Sequence, residues 1–299
     1  MVVKSPRRRQ RCARMPQSKI FTEPWQGYEL IDAGGGKKLE RWGNVITIRP
    51  ELQAYFHSGS PFSEWKKVAH WEFVEKRANK GIWKPLKKNV LDKWTIKYDR
   101  LTFQLELTNN KHIGLFPEQK INWEYLKANL TPEDKFLNLF AYTGASSCIV
   151  RHVGADTYHL DSVKPVISWA KKNMELSRLM NIRWVHEDAL KFVNREQKRG
   201  NKYKAIQMDP PAWGLGAKGE KWKLEDKIDE LLAATASILR EDGFLILNTY
   251  SPSVDQNILK ELIEIYFSRR HNSVNGLYMN TTSGKHLYFG ELVRVGKIS

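Results

Sequence analysis

From residue 130 onward, short apolar runs alternate with amphipathic stretches, and this alternation leaves few folds open. Phe136–Phe140, Asp156–Leu160, Trp184–Glu187, Tyr203–Met208 and Gly243–Asn248 read as strands. Ser146–His152, Val163–Met180, Ala189–Lys198, Ile228–Leu239 and Asn257–Phe267 read as helices between and after them. Val274–Asn280 and Leu287–Val295 are two closing strands joined through Gly284-Lys285 without a helix. Strands linked by helices of this length must run parallel, with helices covering both faces of the sheet. Two strands joined directly bring the last one in antiparallel. The pattern predicts an α/β fold with a Rossmann-like sheet of seven strands over residues 113–299.

Residues 20–112 read differently, as a smaller N-terminal β-rich accessory region. Gly34-Gly35-Gly36 signals a turn, and Val45, Thr47 and Arg49 alternate with Ile46 and Ile48 before Pro50, as in a short strand. Across Thr95–Leu107, apolar Ile96, Tyr98, Leu101, Phe103, Leu105 and Leu107 alternate with polar residues about Asp99-Arg100, which predicts a β-hairpin. Six tryptophans fall within this region: Trp25, Trp42, Trp65, Trp71, Trp83 and Trp94. They offer either stacking surfaces for bases or the core of a small domain, and the core reading is preferred.

Composition narrows the class. No run approaches the ~20 consecutive apolar residues of a membrane span, which excludes a transmembrane protein. Two cysteines, Cys12 and Cys148, build neither a disulfide framework nor a cysteine-rich zinc site, and the eight histidines show no metal-ligand spacing. The expectation is a soluble cytoplasmic protein. The formal net charge of +16 points to a polyanionic partner. Residues 1–20 hold seven basic residues and no acid, so 1–19 is expected to be a disordered basic tail. Three readings fit it: an RNA-binding arm, an organellar targeting peptide, or a start codon assigned too early, with Met15 the true first residue. The last is preferred, because MPQSKIF leads straight into structured-looking sequence.

The loop after the first strand of the larger region is Asn138-Leu139-Phe140-Ala141-Tyr142-Thr143-Gly144-Ala145-Ser146. Ligands of such sheets bind beyond the carboxyl ends of the strands. One glycine is too few for a dinucleotide fingerprint but suffices for a tight turn beside a cofactor without phosphates. Asp161 ends the second strand, where an acid accepts from both ribose hydroxyls, and Asp188 ends the third, within reach of an adenine amino group. Either acid alone could be a helix cap. Together they favour adenosine without phosphates, and S-adenosylmethionine fits best. Asp209-Pro210-Pro211 ends the fourth strand, where two prolines force extended backbone and hold Asp209 at the pocket mouth.

These residues carry a resemblance. Gly114-Leu115-Phe116-Pro117-Glu118-Gln119, the loop Leu137–Gly144, Asp161, Asp188 and Asp209-Pro210-Pro211 resemble class I S-adenosylmethionine-dependent methyltransferases. Specifically, they resemble the large-subunit ribosomal-RNA methyltransferase family that contains cytosine-C5 and guanine-N7 enzymes. The likeness covers residue 95 to the end and is weak before it. It implies cofactor contacts from Phe116, Gln119, Asn138, Phe140, Tyr142, Thr143, Gly144, Ala145, Asp161, Ser162, Asp188, Ala189 and Asp209. It places the catalytic position at Asp209, Pro210 and Pro211.

The chemistry of that family divides on one residue. C5 methylation needs a thiolate to attack C6 of the pyrimidine, and in the similar enzymes that cysteine lies just after strand five. This chain reads Asn248-Thr249-Tyr250-Ser251-Pro252-Ser253 there, Cys148 sits inside a helix, and Cys12 lies in the tail. Methyl transfer to nitrogen needs only an in-line approach of a lone pair, so a base nitrogen in ribosomal RNA is the expected target, with Asp209 orienting it or taking its proton. A methyltransferase for a small molecule or protein, and a non-catalytic RNA-binding module, are the alternatives. Trp213–Leu224 reads as a mobile substrate loop, with Lys218, Lys221 and Lys223 for phosphates and Trp213 and Trp222 for a splayed base. Tyr250 and Tyr142 are further candidates to flank the substrate.

Overall fold

The computed structural model describes residues 18–77, 80–215, 219 and 221–298. Residues 1–17 of the basic tail, with Cys12, and Lys218 lie outside the described residues. The chain enters through β1 (Lys19–Thr22) and then builds an N-terminal module: β2 (Tyr28–Gly34), β3 (Lys37–Trp42), β4 (Val45–Pro50), α1 (Phe62–Val68), β5 (Trp71–Arg77) and β6 (Lys80–Pro85). Among the described residues, β2 to β6 form a sheet in chain order, antiparallel except for β4 and β5. A parallel pair needs a crossover, and the segment carrying α1 provides it. Trp42 and Trp65 are fully buried and Trp94 nearly so. Trp25 and Trp71 donate their indole N–H groups to the carbonyls of Lys97 and Leu91. These rings serve the core, not an open stacking surface.

The hairpin of β7 (Lys93–Tyr98) and β8 (Leu101–Glu106) turns at Asp99, whose φ is 50°. Its buried face carries Trp94, Ile96, Tyr98, Leu101, Phe103 and Leu105. Tyr98 meets Trp123 edge-on at 5.1 Å.

After a 3-10 turn at Pro117–Gln119 come α2 (Lys120–Asn129), β9 (Lys135–Leu139), α3 (Ala145–Val153), β10 (Asp156–Asp161) and α4 (Lys164–Leu176). Then follow β11 (Ile182–His186), α5 (Ala189–Lys198), β12 (Tyr203–Met208), β13 (Trp213–Leu215), β14 (Lys221–Lys223) and α6 (Leu224–Ile238). The chain closes with β15 (Leu239–Thr249), α7 (Gln256–Phe267), β16 (Arg270–Asn280) and β17 (His286–Ile298). α4 holds β8 by accepting and donating through Ser177 and Asn173, so the hairpin is fixed to the larger unit.

The large sheet has the order β1-β16-β17-β15-β12-β9-β10-β11 among the described residues. All neighbours are parallel except those of β17. The seven expected strands are present with the last antiparallel. An eighth, β1, pairs along the outer edge of β16, with Lys19 opposite Gly276 and Thr22 opposite Met279. The order reverses at β9, which makes its carboxyl end the switch point where ligands of such sheets bind. β13 and β14 pair antiparallel, and Leu224 opens α6, so the two ends of the stretch expected as a mobile loop are short paired strands.

The module docks on the turn between β16 and β17. Thr282 and Ser283 donate backbone N–H groups to the carbonyls of Leu30 and Ile31, and the Ser283 hydroxyl donates to Asp32 at 2.6 Å. The central strands are apolar on both faces, as parallel strands between helix layers must be. Among the polar residues that interrupt that core, Asn138, Gln207 and Asn248 are amides and all buried. They point to the site. Among the described residues, no helix is long and apolar enough to cross a membrane, and no cluster of His, Cys, Asp or Glu could hold a metal.

Candidate active site

The loop after β9 is strained. Phe140 and Tyr142 adopt φ of 56° and 50°, and Gly144 a φ of 80°. A non-glycine residue in this region costs about 1 to 3 kcal/mol and persists only where its surroundings over-determine it. Here the surroundings do. Ala141 N–H donates to the Leu160 carbonyl at 3.0 Å, and Tyr142 N–H donates to Asp161 Oδ2 at 2.9 Å. Thr143 donates to the Gly114 carbonyl, and the Asn173 amide donates to the Thr143 carbonyl at 2.9 Å. A Cβ on Gly144 would stand 2.9 Å from Ala170 Cβ, so the glycine serves the turn and the close approach of α4.

Two adjoining clefts open at this end of the sheet and share Phe140. The first, of about 370 Å³, is lined by Phe116, Gln119, Asn138, Phe140, Tyr142, Thr143, Gly144, Ala145, Gln207 and Asp209. The second, of about 970 Å³, is lined by Phe140, Asp161, Ser162, Asp188, Ala189, Pro211, Lys221 and Trp222. The thirteen residues expected around a cofactor are thus all on these walls. Gln207 was not anticipated. Its signal was a lone amide within the otherwise apolar run Ala205–Met208.

The carboxyls differ in what holds them. Asp161 Oδ2 accepts from Tyr142 N–H, and its Oδ1 accepts from Val163 N–H at 2.9 Å. Burial raises its pKa, against the pull of these backbone donors. Asp188 caps α5, accepting from Lys191 N–H at 3.0 Å, and also faces the larger cleft. The cap leaves lone pairs of the carboxylate facing that cleft.

Asp209 ends a buried chain of amides. Gln119 Nε2 donates to Asp209 Oδ2 at 3.1 Å, while Gln119 Oε1 accepts from Asn122 at 2.8 Å and from Gln207 at 3.3 Å. Asn122 also donates to Asn248 Oδ1 at 2.7 Å, and its own oxygen accepts from Arg294 at 3.2 Å. This chain fixes which way the Gln119 amide faces. Burial, with the nearby Glu118 carboxyl adding to it, pushes the Asp209 carboxyl up to about 8. Glu118 is itself buried, its pKa raised chiefly by burial, and accepts the Tyr250 hydroxyl. Only the three-dimensional arrangement brings Glu118, Asn122 and Asn248 to this carboxyl.

The residues expected to hold substrate divide. Trp213 is 61% exposed on the hairpin. Trp222 is buried, donates its indole N–H to the Pro211 carbonyl at 2.7 Å and packs 5.1 Å from Phe140. It is therefore a wall of the larger cleft and not a free platform for a splayed base. Its bond also occupies the Pro211 carbonyl. Lys221 borders the same cleft, and Tyr250 stands half-exposed beside Glu118. Tyr142 packs 5.2 Å from Phe116 at the smaller cleft.

A mostly parallel sheet with carboxylates at or just beyond the ends of β10, β11 and β12 and a strained loop after β9 is an arrangement suited to a nucleoside cofactor. A methyltransferase structure from Agrobacterium tumefaciens, described as dependent on S-adenosylmethionine, is 31% identical with a TM-score of 0.86. The match covers 95% of this chain and 97% of that one. The chain belongs to the S-adenosylmethionine-dependent methyltransferases. A Streptococcus mutans structure of like description is 17% identical, with a TM-score of 0.72 over 90% of this chain and 75% of that one, and shows the same fold. Two curated proteins named ribosomal RNA large subunit methyltransferase K/L also match. The one from Syntrophotalea carbinolica is 28% identical over 52% of this chain, and the one from Buchnera aphidicola 28% over 61%. The chain spans about a quarter of the length of these relatives. No protein-family model matches it.

The donor set fits S-adenosylmethionine. Asp161 keeps lone pairs for ribose hydroxyls after accepting its two backbone donors. Gln207 Oε1 is buried without a hydrogen-bond partner in the wall of the smaller cleft, an acceptor suited to an ammonium group.

Proposed function

We propose that the enzyme acts in the cytoplasm and methylates a ring or exocyclic nitrogen of a base in RNA, ribosomal RNA first, without a cysteine nucleophile. The observation that carries this reading is Asp209, held by Gln119 at the end of the smaller cleft, with no thiol among the described lining residues. Cys148 is completely buried in α3, and burial pushes its thiol up to about 12. A thiol of that kind is neither accessible nor ionised at neutral pH. The relatives named as ribosomal RNA methyltransferases support the substrate class.

Asp161 and Ser162 would hold the ribose, Asp188 and Ala189 the adenine edge, and Phe140 and Trp222 the adenine ring. Asn138, Gln207 and the turn Tyr142–Ala145 would hold the amino-acid end. The cofactor supplies an electrophilic methyl group on a sulfonium. Asp209 accepts a hydrogen from the target nitrogen and so aims its lone pair. Gln119 keeps one carboxyl oxygen occupied, which leaves the other for the base. Position supplies most of the rate in such a displacement.

Ribosomal RNA from a strain lacking the protein, incubated with the enzyme and S-adenosylmethionine and digested to nucleosides, should gain one N-methylated base by mass spectrometry. Appearance of 5-methylcytidine, or no incorporation, would overturn the reading. Cys148→Ala should retain the wild-type transfer rate in the same assay, and abolition of transfer by this variant would restore the covalent route.

A further inference from the structure

The N-terminal module packs on β17 and the turn before it. Its Lys38 bridges Glu51 at 3.2 Å and lies 4.9 Å over the ring of Phe289 in β17. A Cβ on the next residue, Gly290, would stand 3.1 Å from the Tyr250 ring. Tyr250 in turn donates to Glu118 beside Asp209. These contacts link the turn that Glu51 opens, through β17 and Tyr250, to Glu118 beside Asp209. The charge of Glu51 adds to the burial that raises the Tyr250 phenol, and Tyr55 adds to the burial that raises that of Tyr278.

That turn is rigid. Glu51 N–H donates to the Gly36 carbonyl, Gly36 N–H to Ala54 and Gly35 N–H to Phe56, each at 2.8 Å. Yet it displays Leu52 at 84% and Tyr55 at 85% exposure. Beyond it, on the outer edge of the catalytic sheet, Tyr278 and Phe21 lie half-exposed with ring centroids 5.6 Å apart, and the Lys19 ammonium stands 5.1 Å over Tyr278. Half-exposed rings joined by a lysine, leading away from a catalytic mouth, suit unpaired bases and their phosphates.

We propose that the Glu51–Phe56 turn is the RNA-gripping jaw of this enzyme: Tyr55 stacks on an unpaired base beside the target nucleotide, Leu52 wedges into the gap the displaced target leaves, and Tyr278, Phe21 and Lys19 continue the track. This rests on the reading of RNA as substrate. It gives the module, whose described residues line neither cleft, its part in the reaction. An apolar wedge is a recurrent means of holding a base out of its stack.

The test is fluorescence anisotropy of a labelled mixed-sequence single-stranded RNA with the full chain saturated in S-adenosylhomocysteine. Each stacked base is worth about 5- to 150-fold in affinity, so Leu52→Ala/Tyr55→Ala should bind at least about tenfold more weakly than wild type, and Tyr55→Trp should restore binding. Thermal unfolding and cofactor affinity should be unchanged, since both side chains are exposed. Equal binding by wild type and the double variant would overturn the jaw and leave the substrate reading intact. The same would follow if the variant lost affinity for a fully paired duplex as much as for the single strand. A wild-type protein that binds neither RNA would remove the substrate reading and the jaw together.

Discussion

Replacing Asp209 with Asn should lower kcat by about 10²- to 10⁴-fold, the usual contribution of a positioned proton acceptor, with little change in cofactor affinity. Asparagine preserves the oxygen that accepts from Gln119, so the amide chain stays in place while the charge is lost. The pH dependence gives the sharper result. Gln119 occupies one oxygen and a proton on the other turns it into a donor, so wild-type kcat should climb with unit slope as pH rises toward about 8 and level off above it. The Asn variant should lack this limb. A flat wild-type profile between about pH 6 and 9 would remove Asp209 from the role.

The same carboxyl works against the fold. Its unfolded pKa is about 3.9 and its native value about 8, so the native state keeps a proton that the unfolded chain releases as pH rises between the two. Stability is full below the lower value and is lost as pH passes through the upper one. Asp209→Asn should therefore melt higher than wild type in alkaline buffer and close to it in acid. Differential scanning calorimetry at the two extremes checks the sign.

Asp161→Ala should weaken S-adenosylhomocysteine binding by about 10²- to 10⁴-fold, on the measure of about 1.5 to 3 kcal/mol for each of two hydrogen bonds to a charged group. The loss has two sources. The ribose hydroxyls lose their acceptor, and Tyr142 and Val163 lose the partner of their backbone N–H groups. Since the first of these bonds helps hold Tyr142 at positive φ, the strained turn should relax as well. Asp161→Asn should fall between the two, because one acceptor oxygen survives. Calorimetry measures the series. Near-wild-type affinity in the alanine variant would place the ribose elsewhere. At saturating cofactor, kcat should fall much less than affinity, because Asp161 lies in the larger cleft and Asp209 in the smaller.

The catalytic sheet was legible because its evidence is local. Tyr203–Met208 and Ala189–Lys198 coincide with the strand and helix read from periodicity alone. Acids at Asp161 and Asp188 announced themselves by falling at strand ends in order, and both line the larger cleft. The amide chain around Asp209 was illegible for the opposite reason. Gln119, Asn122 and Asn248 come from a 3-10 turn, a helix and a strand, and nothing in the spacing of three amides says that they meet. Trp213–Leu224 misled because its glycines and lysines read as loop, whereas strands of three residues each carry too little periodicity to be recognised. Four residues at Lys19–Thr22 gave no hint that they pair across nearly the whole length of the chain.

That pairing has a consequence for how the enzyme comes into being. β1 is among the first described segments to leave the ribosome, but its partner β16 is among the last. Contacts so distant in sequence form late, since the entropy of closing the intervening chain opposes them until other structure has brought their ends near. The hydroxyl of Thr22 donates to the backbone carbonyl of Glu118 at 2.7 Å, so the turn that carries Gln119 gains this bond only when β1 has met β16. A nascent chain can assemble the strands around its clefts one by one, whereas the turn that carries Gln119 gains its bond to Thr22 only after β16 has been made.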